Sequence, residues 1–354
     1  MSPNGVDLTA DVVVVGAGPA GAATALMLAR GCRTLLVDRI EEDAATGSHR
    51  IGESLPAAAW RLLRDMGLWE DFQGQGHLPC HVRQSHWADS QPSIANSLRD
   101  ADGPGWLLDR VRFDAWLRDW ARRRGAALVA PARAAALAAS AEGWRLTLVR
   151  RNRPLTVAAR WLVDAGGRAA PLARMLRLGR TRADRLICRW MAGPSEALGT
   201  GLVVAAEPDG WWYAAALPGG RWIAAFHTDA DLPVARATSE GPVLLARARA
   251  QSVLTPFLDG LTIAPDAPIG VCAAYSAWIE RVAGPGWIAV GDAALSCDPL
   301  SGQGLFNALY SGVLGAGAIR EVLTDNSAAL GGLSGGDEEC GGGLSQRSCR
   351  LVRP

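Results

Sequence analysis

Lysine is absent from the sequence, and all 36 basic residues are arginine. Any mechanism that requires a lysine amine is therefore excluded. An excess of one charge sign is also missing, because 36 basic residues stand against 35 acidic ones and no long run of like charge occurs. This balance indicates neither nucleic acid nor an anionic membrane surface as a partner.

Long apolar runs are missing as well, since the longest fall far short of the roughly 20 residues that a membrane span needs. The first residues carry no basic region followed by an apolar one, so we expect no signal peptide. The seven cysteines are odd in number and include no Cys-x-x-Cys pair. This usage is typical of reduced thiols, and we expect a cytoplasmic protein that does not bind membranes.

Tyrosine and phenylalanine are scarce, with three and five residues, whereas tryptophan occurs 14 times. Two interpretations of the tryptophans stay open. They can simply fill the core, or some of them can line an aromatic substrate region.

The beginning of the chain carries the most informative pattern. An apolar run over residues 12–15 precedes Gly16-x-Gly18-x-x-Gly21, a helical pattern, a second apolar run and then Asp38. This order is that of the strand, glycine turn, helix and strand that bind a dinucleotide. Gly16 permits the tight turn, Gly18 lets the backbone approach a pyrophosphate, and Gly21 lets helix and strand pack closely. With Asp38 placed to accept from a ribose hydroxyl, the motif predicts an ADP-containing ligand without distinguishing NAD from FAD.

Two helices are expected in the next part of the chain. Ser54 is a good N-cap and Pro56 suits a first turn, so we expect a helix over residues 55–66 with Glu53 at its start. A second, stronger helical pattern covers residues 112–124.

Strand patterns and glycine turns dominate the remainder. We expect strands at 81–87, 144–150, 155–163, 185–190, 201–206, 211–217, 222–228 and 287–290, with one helix at 243–250. Asp164 to Gly167 follows one of these strands, and Gly291-Asp292 follows the last. The stretch from Cys297 to Gly304 then forms a second turn, whose backbone amides are suited to binding anions. A helix begins at the end of this turn, and we expect it to reach about residue 323.

The order of these motifs resembles that of the FAD-dependent monooxygenases of the p-hydroxybenzoate hydroxylase fold. Within them, the chain is similar to the branch that contains the flavin-dependent tryptophan halogenases, over about residues 10–325. The resemblance implies FAD as the cofactor. The positions that it assigns to the FAD site are Gly16, Gly18, Ala20, Gly21, Asp38, Arg39, Arg110, Asp164, Gly166, Gly291, Asp292, Pro299, Gly302, Gln303 and Gly304.

A closer likeness is to the flavoproteins that mature peptidyl tryptophan-derived quinone cofactors in partner oxidases. The stretches that carry it are residues 52–56, 109–117, 209–213 and 298–304. The chain departs from the halogenases, which use a lysine to carry or orient hypohalous acid. Their Trp-x-Trp-x-Ile-Pro signature appears here as Trp211-Trp212-Tyr213-Ala214-Ala215-Ala216, which keeps only the first tryptophan. Halogenation by that mechanism is therefore disfavoured.

The resemblance also implies the fold and the domains. We expect an α/β fold, with a Rossmann-type FAD-binding domain and a second, mostly antiparallel β substrate domain. The expected ranges are 8–78, 105–177 and 271–325 for the FAD-binding domain, and 79–104 and 178–270 for the substrate domain. Separately from the resemblance, the high glycine content and weak periodicity of residues 326–354 predict a disordered tail.

Four residues are candidates for catalysis: Glu53, His81, His86 and Tyr213. Glu53 can be a carboxylate beside the flavin or simply the acid of a helix-starting turn. His81 and His86 can act as acid or base above the flavin. They lie near His77 and Cys80, but no second half of a metal site follows, so we expect no metal.

The aromatic stretch at 211–213 supplies the candidates for substrate binding, Trp211 and Trp212. Adjacent strand residues point to opposite faces, so at most one of the two tryptophans faces a pocket. His227 is expected to be a satisfied core histidine.

The resemblance implies hydroxylation of an indole or tryptophan-type ring through a flavin C4a-hydroperoxide. The target is expected to be a tryptophan of a partner polypeptide, with electrons from NAD(P)H or a separate flavin reductase. Two alternatives stay open: a small-molecule hydroxylase, halogenase or reductase of the same fold, and a flavin-binding chaperone.

Overall fold

The computed structural model describes residues 6–40, 50–87, 91–194, 201–258 and 269–332, with the backbone alone for 256–257 and 326–332. The strands are β1 Leu8–Val15, β2 Thr34–Val37, β3 Ser54–Leu55, β4 Leu78–Cys80, β5 Val82–His86, β6 Ser93–Asn96, β7 Gly105–Leu107, β8 Ala127–Val129, β9 Ala132–Ser140, β10 Gly143–Arg150, β11 Arg153–Asp164, β12 Arg180–Arg182, β13 Leu186–Pro194, β14 Gly201–Glu207, β15 Gly210–Leu217, β16 Arg221–Asp229, β17 Gly270–Ala273, β18 Ala277–Ile279, β19 Ala283–Gly284, β20 Trp287–Ala289 and β21 Leu295–Ser296. The helices are α1 Pro19–Leu28, α2 Ala59–Asp65, α3 Trp69–Gln73, α4 Arg110–Arg123, α5 Pro171–Met175, α6 Pro233–Ala237, α7 Gly241–Ala250, α8 Thr255–Leu258 and α9 Gly304–Gly332.

The first sheet contains the opening motif. Its strand order is β19-β20-β11-β1-β2-β8, and the antiparallel strands β10 and β9 extend it from β11. The pairings of β1 with β11, β1 with β2, β2 with β8 and β11 with β20 are parallel. A parallel sheet connected through a helix such as α1 is the Rossmann arrangement. The carboxyl ends of β1, β2, β11 and β20 therefore meet at one edge of the sheet.

Helix α1 packs closely on this sheet because small residues face it. Its residues 20–26 are all buried, and six of them are Ala, Gly or Thr. A Cβ on Gly21 would lie 1.8 Å from the carbonyl oxygen of Gly16. The first helical turn can therefore approach the glycine turn only without a side chain at this position.

The second sheet has the order β17-β13-β16-β15-β14-β5-β6. Its pairings are antiparallel except for β5 with β14. One face of this sheet packs on α6 and α7 through Trp212, Phe226 and Leu244, all of them fully buried. The opposite face carries Trp211 and Tyr213, because adjacent residues of β15 alternate.

The expected fold class, a Rossmann-type FAD-binding fold combined with a mostly antiparallel second sheet, is confirmed by this arrangement. The strand at 81–87 is present as β5, which joins the second sheet. The edge strand β17 also belongs to that sheet. None of the described helices is long and apolar enough to cross a membrane.

The expected helix at 55–66 is wrong in its start. Ser54 and Leu55 form a short strand that pairs with Leu107 and Trp106 of β7, and α2 begins only at Ala59. Pro56 accounts for this difference, because the residue before a proline is driven out of the helical region into extended backbone. Glu53 therefore precedes a strand and not a helix.

The end of the chain also differs from its expected form. Helix α9 continues to Gly332, past its expected end at about residue 323 and seven residues into the stretch that was expected to be the tail. Alanine and leucine within 326–332 are strong helix formers and favour this extension. The remainder of the expected tail, residues 333–354, lies outside the described residues.

Candidate functional site

A cavity of about 910 Å³ lies where the carboxyl edge of the first sheet meets the free face of the second. Its volume is close to the upper end of the roughly 300–1,000 Å³ that is usual for ligand pockets. The expected site residues that line it are Gly16, Gly18, Ala20, Asp38, Arg39, Glu53, Arg110, Gly166, Trp211, Tyr213, Asp292, Pro299, Gly302 and Gly304. Residues that are far apart in the sequence thus line the same cavity.

The glycine turn after β1 exposes backbone to this cavity. Gly16 has φ +108°, and a Cβ there would lie 2.2 Å from the carbonyl oxygen of Ala165. Gly18 precedes α1 with φ −72°, and a Cβ there would meet no protein atom within 4 Å. The space beside Gly18 therefore belongs to the cavity, at a helix N-terminus with no acidic residue in its first turn. This is the arrangement that binds a pyrophosphate.

Asp38 closes the turn from the end of β2. One of its carboxylate oxygens accepts the N–H of Ala17, and the other accepts the N–H of Ile40 at 3.1 Å. The side chain thus ties the glycine turn to the second strand while it lines the cavity. Its remaining lone pairs are available to a hydroxyl group of a ligand.

Four of the expected cofactor residues do not line the cavity. The Asp164 carboxylate accepts three backbone N–H groups at 2.8–3.1 Å, from Gly166 and the start of α5, and burial raises its pKa. Gly291 has φ +58°, and its N–H donates to Ser311. Gly21 serves helix packing, and Gln303 lies exposed in the turn before α9.

A salt bridge marks the other end of the cofactor region. Nη1 of Arg168 donates to Oδ2 of Asp292 at 2.7 Å, and both side chains line the cavity and are partly exposed to it. Beyond Asp292 the chain forms the Pro299 turn, where Gly302 adopts φ +62° before α9 begins at Gly304. Neither Gly302 nor Gly304 has a protein atom within 4 Å of an added Cβ. Their backbone is therefore accessible to a planar ligand.

Arg110 holds the Glu53 turn. Its Nη1 donates to the carbonyl oxygens of Ile51 at 3.0 Å and Gly52 at 2.8 Å, while Nε and Nη2 bind the buried carboxylate of Asp114. Gly52 has φ +93°, and its N–H donates to Oε2 of Glu53 at 3.0 Å. The Glu53 side chain is fully buried and lines the cavity. Arg110 therefore positions this carboxylate through the backbone.

Four side chains form a row across the second sheet. Trp211 is opposite His227, His227 is opposite Cys188, and Cys188 is opposite Cys272, on the neighbouring strands β15, β16, β13 and β17. Directly opposite residues share a face of the sheet, and all four line the cavity. The Trp211 and His227 rings are stacked, with centroids 3.7 Å apart and an interplanar angle of 2°. Burial lowers the pKa of His227 to about 3, so its imidazole is neutral at neutral pH.

Tyr213 lies two residues along β15 on the same face. Its hydroxyl is fully buried and has no hydrogen-bond partner in the part of the chain that the structure describes. Burial raises its pKa well above the usual value, and the charge of Glu53 adds to this effect. The hydroxyl therefore stays protonated and can donate to a ligand in the cavity.

Three further candidates lie outside the cavity wall. Trp212 faces α7, where it packs on Phe226 and donates from Nε1 to Glu207 at 3.2 Å. His81 is exposed and contacts Ser97, and His86 contacts Gln84 at 3.5 Å. Among the described residues, no group of three or more His, Cys, Asp or Glu side chains could hold a metal ion.

Of the 14 tryptophans, five are buried, seven are half-buried and two, Trp87 and Trp278, are exposed. Several of them, with Phe72, Phe113 and His77, form an aromatic cluster around α2–α4. Burial lowers the pKa of His77 to about 4 in this cluster. All 14 tryptophans lie within the described residues, and Trp211 alone lines the cavity.

Sequence analysis missed Arg168 and the pair Cys188 and Cys272. Arg168 directly follows the Asp164–Gly167 turn, so its position next to a glycine motif was a usable signal. The cysteines are far apart along the chain, and only the pairing of β13 with β17 brings them together. His227 is buried as expected, but it is not the satisfied core histidine that was expected, because its Nδ1 has no hydrogen-bond partner among the described residues and its side chain forms part of the cavity wall.

The residues present fit a bound FAD. Side-chain-free backbone at Gly18 and at the two glycines Gly302 and Gly304 provides two cradles that a Cβ would fill. Asp38 and Asp292 offer carboxylates to hydroxyl groups. The wall with Trp211 and Tyr213 then offers an aromatic surface to a second ligand. The cavity therefore combines a dinucleotide site with a partly aromatic wall.

Comparison with known proteins agrees with this geometry. The family model described as FAD binding domain matches residues 9–229. FAD-dependent oxidoreductase LodB of Marinomonas mediterranea is 28% identical over 327 residues, which cover 90% of this chain and 86% of that protein. Menaquinone reductase of Mycobacterium tuberculosis is 31% identical over 329 residues, which cover 88% of this chain and 76% of that protein.

Solved structures share the fold. One of them is the peptidyl tryptophan dihydroxylase QhpG, which is essential for tryptophylquinone cofactor biogenesis. It superposes on this chain with a TM-score of 0.71 at 30% identity, and the match covers 91% of this chain and 69% of QhpG. Flavin-dependent halogenases are also among the structures with this fold. The resemblance noted from the motifs is thus confirmed, and FAD is the cofactor. The chain belongs to the FAD binding domain family and is a FAD-dependent oxidoreductase.

Proposed function

We propose that this oxidoreductase is a monooxygenase that hydroxylates the indole ring of a tryptophan-type substrate. The substrate is a tryptophan residue of a partner polypeptide, as in the biogenesis of a tryptophan-derived quinone cofactor. Electrons come from NAD(P)H or from a separate flavin reductase.

One observation carries this proposal: the FAD cradle and the aromatic wall line the same cavity. Gly18 and Asp292 lie on the cofactor side of that cavity, and Trp211, Tyr213 and Glu53 lie on the wall formed by the second sheet and its neighbouring turn. A flat aromatic substrate can stack or contact edge-on with such a wall.

The side chains of the wall have distinct tasks. The Glu53 carboxylate can accept the indole N–H and so orient the ring, because a carboxylate in a buried site is a strong acceptor. The protonated Tyr213 hydroxyl can donate to a carbonyl of the substrate backbone or to oxygen on the ring. His227 remains neutral and fixes Trp211 by stacking. Bound FAD supplies the activation of molecular oxygen once it is reduced.

The composition favours hydroxylation over halogenation. A lysine that carries hypohalous acid is absent from the whole chain. The similarity to QhpG, at 30% identity over 91% of the chain, supports a peptidyl target. The similarity to LodB supports an FAD-dependent oxidoreductase but does not bear on the kind of substrate.

The test uses the FAD-loaded protein with a reductant, oxygen and three substrates: a tryptophan-containing peptide, free tryptophan and a matched peptide with phenylalanine. Mass spectrometry should show a gain of one or two oxygen atoms on the tryptophan peptide alone. Turnover of free tryptophan without a change in the peptide would instead support a small-molecule hydroxylase. Failure of reduced protein to consume oxygen with any substrate would support a flavin-binding chaperone.

The menaquinone reductase similarity favours a second candidate, reduction of a quinone in the same cavity. Anaerobic oxidation of NAD(P)H that depends on an added naphthoquinone would identify this reaction. Hydroxylation of a tryptophan peptide requires oxygen, so the two candidates give opposite results when oxygen is removed.

A further inference from the structure

Cys188 and Cys272 occupy one end of the row that crosses the second sheet. They are directly opposite each other on the antiparallel strands β13 and β17, between the pairs Ile187–Ala273 and Arg189–Val271. Both are free thiols, and both line the cavity. Neither has a task in the proposed hydroxylation.

The geometry of this pair meets the requirement for a disulfide. Opposite residues of an antiparallel ladder have Cα atoms about 4.5–5.5 Å apart and side chains on the same face. Disulfides span Cα distances of about 4.4–6.8 Å. The two sulfur atoms can therefore join without rearrangement of the sheet, and β17 is its edge strand.

The two thiols are chemically unequal. A hydrogen bond from the Cys188 thiol lowers the pKa of Cys272, and the nearby charge of Arg168 acts in the same direction against burial and Glu53. Burial raises the pKa of Cys188 well above its usual value. Cys272 is also the less buried of the two. The thiolate, which is the reactive form, is thus favoured on the more accessible sulfur.

We propose that Cys188 and Cys272 are a redox-active thiol pair that reduces hydrogen peroxide within the cavity and closes to a disulfide. Cys272 is the attacking thiol, and Cys188 is the resolving thiol. The pair protects the adjoining aromatic wall, in particular Trp211, from peroxide that forms when oxygen consumption is not coupled to substrate oxidation.

The reaction has two steps. The Cys272 thiolate attacks one oxygen of the peroxide, so that an S–O bond forms, the O–O bond breaks and hydroxide leaves. The Cys188 sulfur then attacks the Cys272 sulfur, so that the S–S bond forms, the S–O bond breaks and the hydroxyl group leaves as water with a proton. In sum, two thiols lose two electrons and two protons, and one hydrogen peroxide becomes two water molecules.

The experiment titrates the FAD-loaded, thiol-reduced protein anaerobically with hydrogen peroxide, followed by alkylation, trypsin digestion and mass spectrometry. Because the chain lacks lysine, trypsin cleaves only after arginine, and Cys188 and Cys272 fall in the separate peptides 186–189 and 250–281. One equivalent of peroxide should convert these peptides into one cross-linked species that a dithiol reductant releases. Added peroxide makes this result independent of the proposed hydroxylase reaction, which only accounts for the source of peroxide.

Three variants define the roles. Cys188→Ser should lose the cross-link and accumulate a sulfenic acid at Cys272 that dimedone labels. Cys272→Ser should lose both the cross-link and the dimedone label. Cys297→Ser is the matched control: its thiol lines the same cavity, but burial raises its pKa, and the Cys188–Cys272 cross-link should form as in the wild type. The visible flavin spectrum checks that each variant is folded.

The proposal is overturned if peroxide leaves both cysteines alkylatable in wild-type protein. It is also overturned if Cys297 or Cys80 is oxidised before them, or if Cys188→Ser yields no dimedone adduct at Cys272 while retaining bound flavin.

Discussion

The indole of Trp211 lies flat on the imidazole of His227, with 3.7 Å between ring centroids and 2° between ring planes. The two residues are also register partners across β15 and β16. This stack is the aromatic part of the wall that faces the FAD site. Its position gives the proposed function its substrate class, an aromatic ring.

Replacement of Trp211 should weaken substrate binding without loss of cofactor. An aromatic pair contributes about 0.5–1.5 kcal/mol beyond area burial, so Trp211→Ala should raise the KM for a tryptophan peptide roughly two- to tenfold. Steady-state kinetics with a flavin titration measures both quantities. Trp212→Phe is the control, because Trp212 faces α7 and should affect stability but not KM. Equal effects of both variants on KM would contradict the assignment.

A substitution in the glycine turn should weaken FAD binding without affecting folding. Gly18→Ala meets no protein atom and has an ordinary φ, so the apoprotein should retain its thermal stability. The added methyl group occupies ligand space, and FAD affinity should fall at least about tenfold, or 1.4 kcal/mol. Flavin fluorescence titration measures the change.

Two further glycine variants serve as controls for Gly18→Ala. Gly21→Ala places a Cβ 1.8 Å from a backbone oxygen and should impair both folding and FAD binding, whereas Gly31→Ala meets nothing within 4 Å and should impair neither. Unchanged FAD affinity in Gly18→Ala would show that the dinucleotide lies elsewhere.

Arg110 should be important for both stability and turnover. Arg110→Met removes the donors to Ile51 and Gly52 and leaves the buried Asp114 with Arg50 as its ion-pair partner. Loss of a buried ion-pair partner costs about 3–5 kcal/mol, and the remaining arginine should reduce this to about 2–3 kcal/mol. Urea unfolding measures the cost.

The kinetic effect of Arg110→Met should appear in kcat, since the Glu53 turn loses its support. The exposed pair Arg64–Asp65 supplies a control, and Arg64→Met should change stability by less than about 0.5 kcal/mol. Equal stability of the Arg110 and Arg64 variants would contradict the role of Arg110.

Stability should depend on pH through His227. Its pKa in the folded state is about 3, below the ordinary 6.5, so the unfolded chain binds the proton more readily between these values. The contribution of His227 is complete above pH 6.5 and is lost as the pH falls towards 3, with a slope of about 1.4 kcal/mol per pH unit.

The free energy of unfolding of His227→Gln should therefore depend less steeply on pH between pH 6 and 4, with a slope reduced by the contribution of about one proton. Urea denaturation at a series of pH values measures this slope. Leu244→Ala, a cavity-forming change on the other side of the sheet, should lower the whole curve and keep its slope. An unchanged slope in His227→Gln would contradict burial of a neutral imidazole.

Local patterns carried most of what the sequence could predict. The unit from β1 to Asp38 depends on residues that are near one another in the chain. The prediction of FAD as the cofactor rested on several such local motifs and on their order along the chain. The start of α2 was missed because a capping serine competes with the conformational effect of Pro56 on Leu55. In the structure, Pro56 and the pairing with β7 keep Ser54 and Leu55 extended, so the helix begins later.

Long-range pairing explains the other omissions. The opposition of Cys188 and Cys272 exists only because β17 returns to the edge of β13. Strand alternation correctly predicted that at most one of Trp211 and Trp212 faces the cavity, but not which one. That choice depends on α7, which covers the Trp212 face. The catalytic assignments of His81 and His86 stay predictions, and their side chains do not line the cavity.

Incorporation of heavy-isotope molecular oxygen tests the central claim most directly. The FAD-loaded protein is reduced, mixed with a tryptophan peptide under labelled oxygen and analysed by mass spectrometry. We predict that the indole ring of the peptide gains labelled oxygen. Oxidation of the reduced flavin with release of stoichiometric hydrogen peroxide and no label in the peptide, across peptides and free indoles alike, would contradict the account.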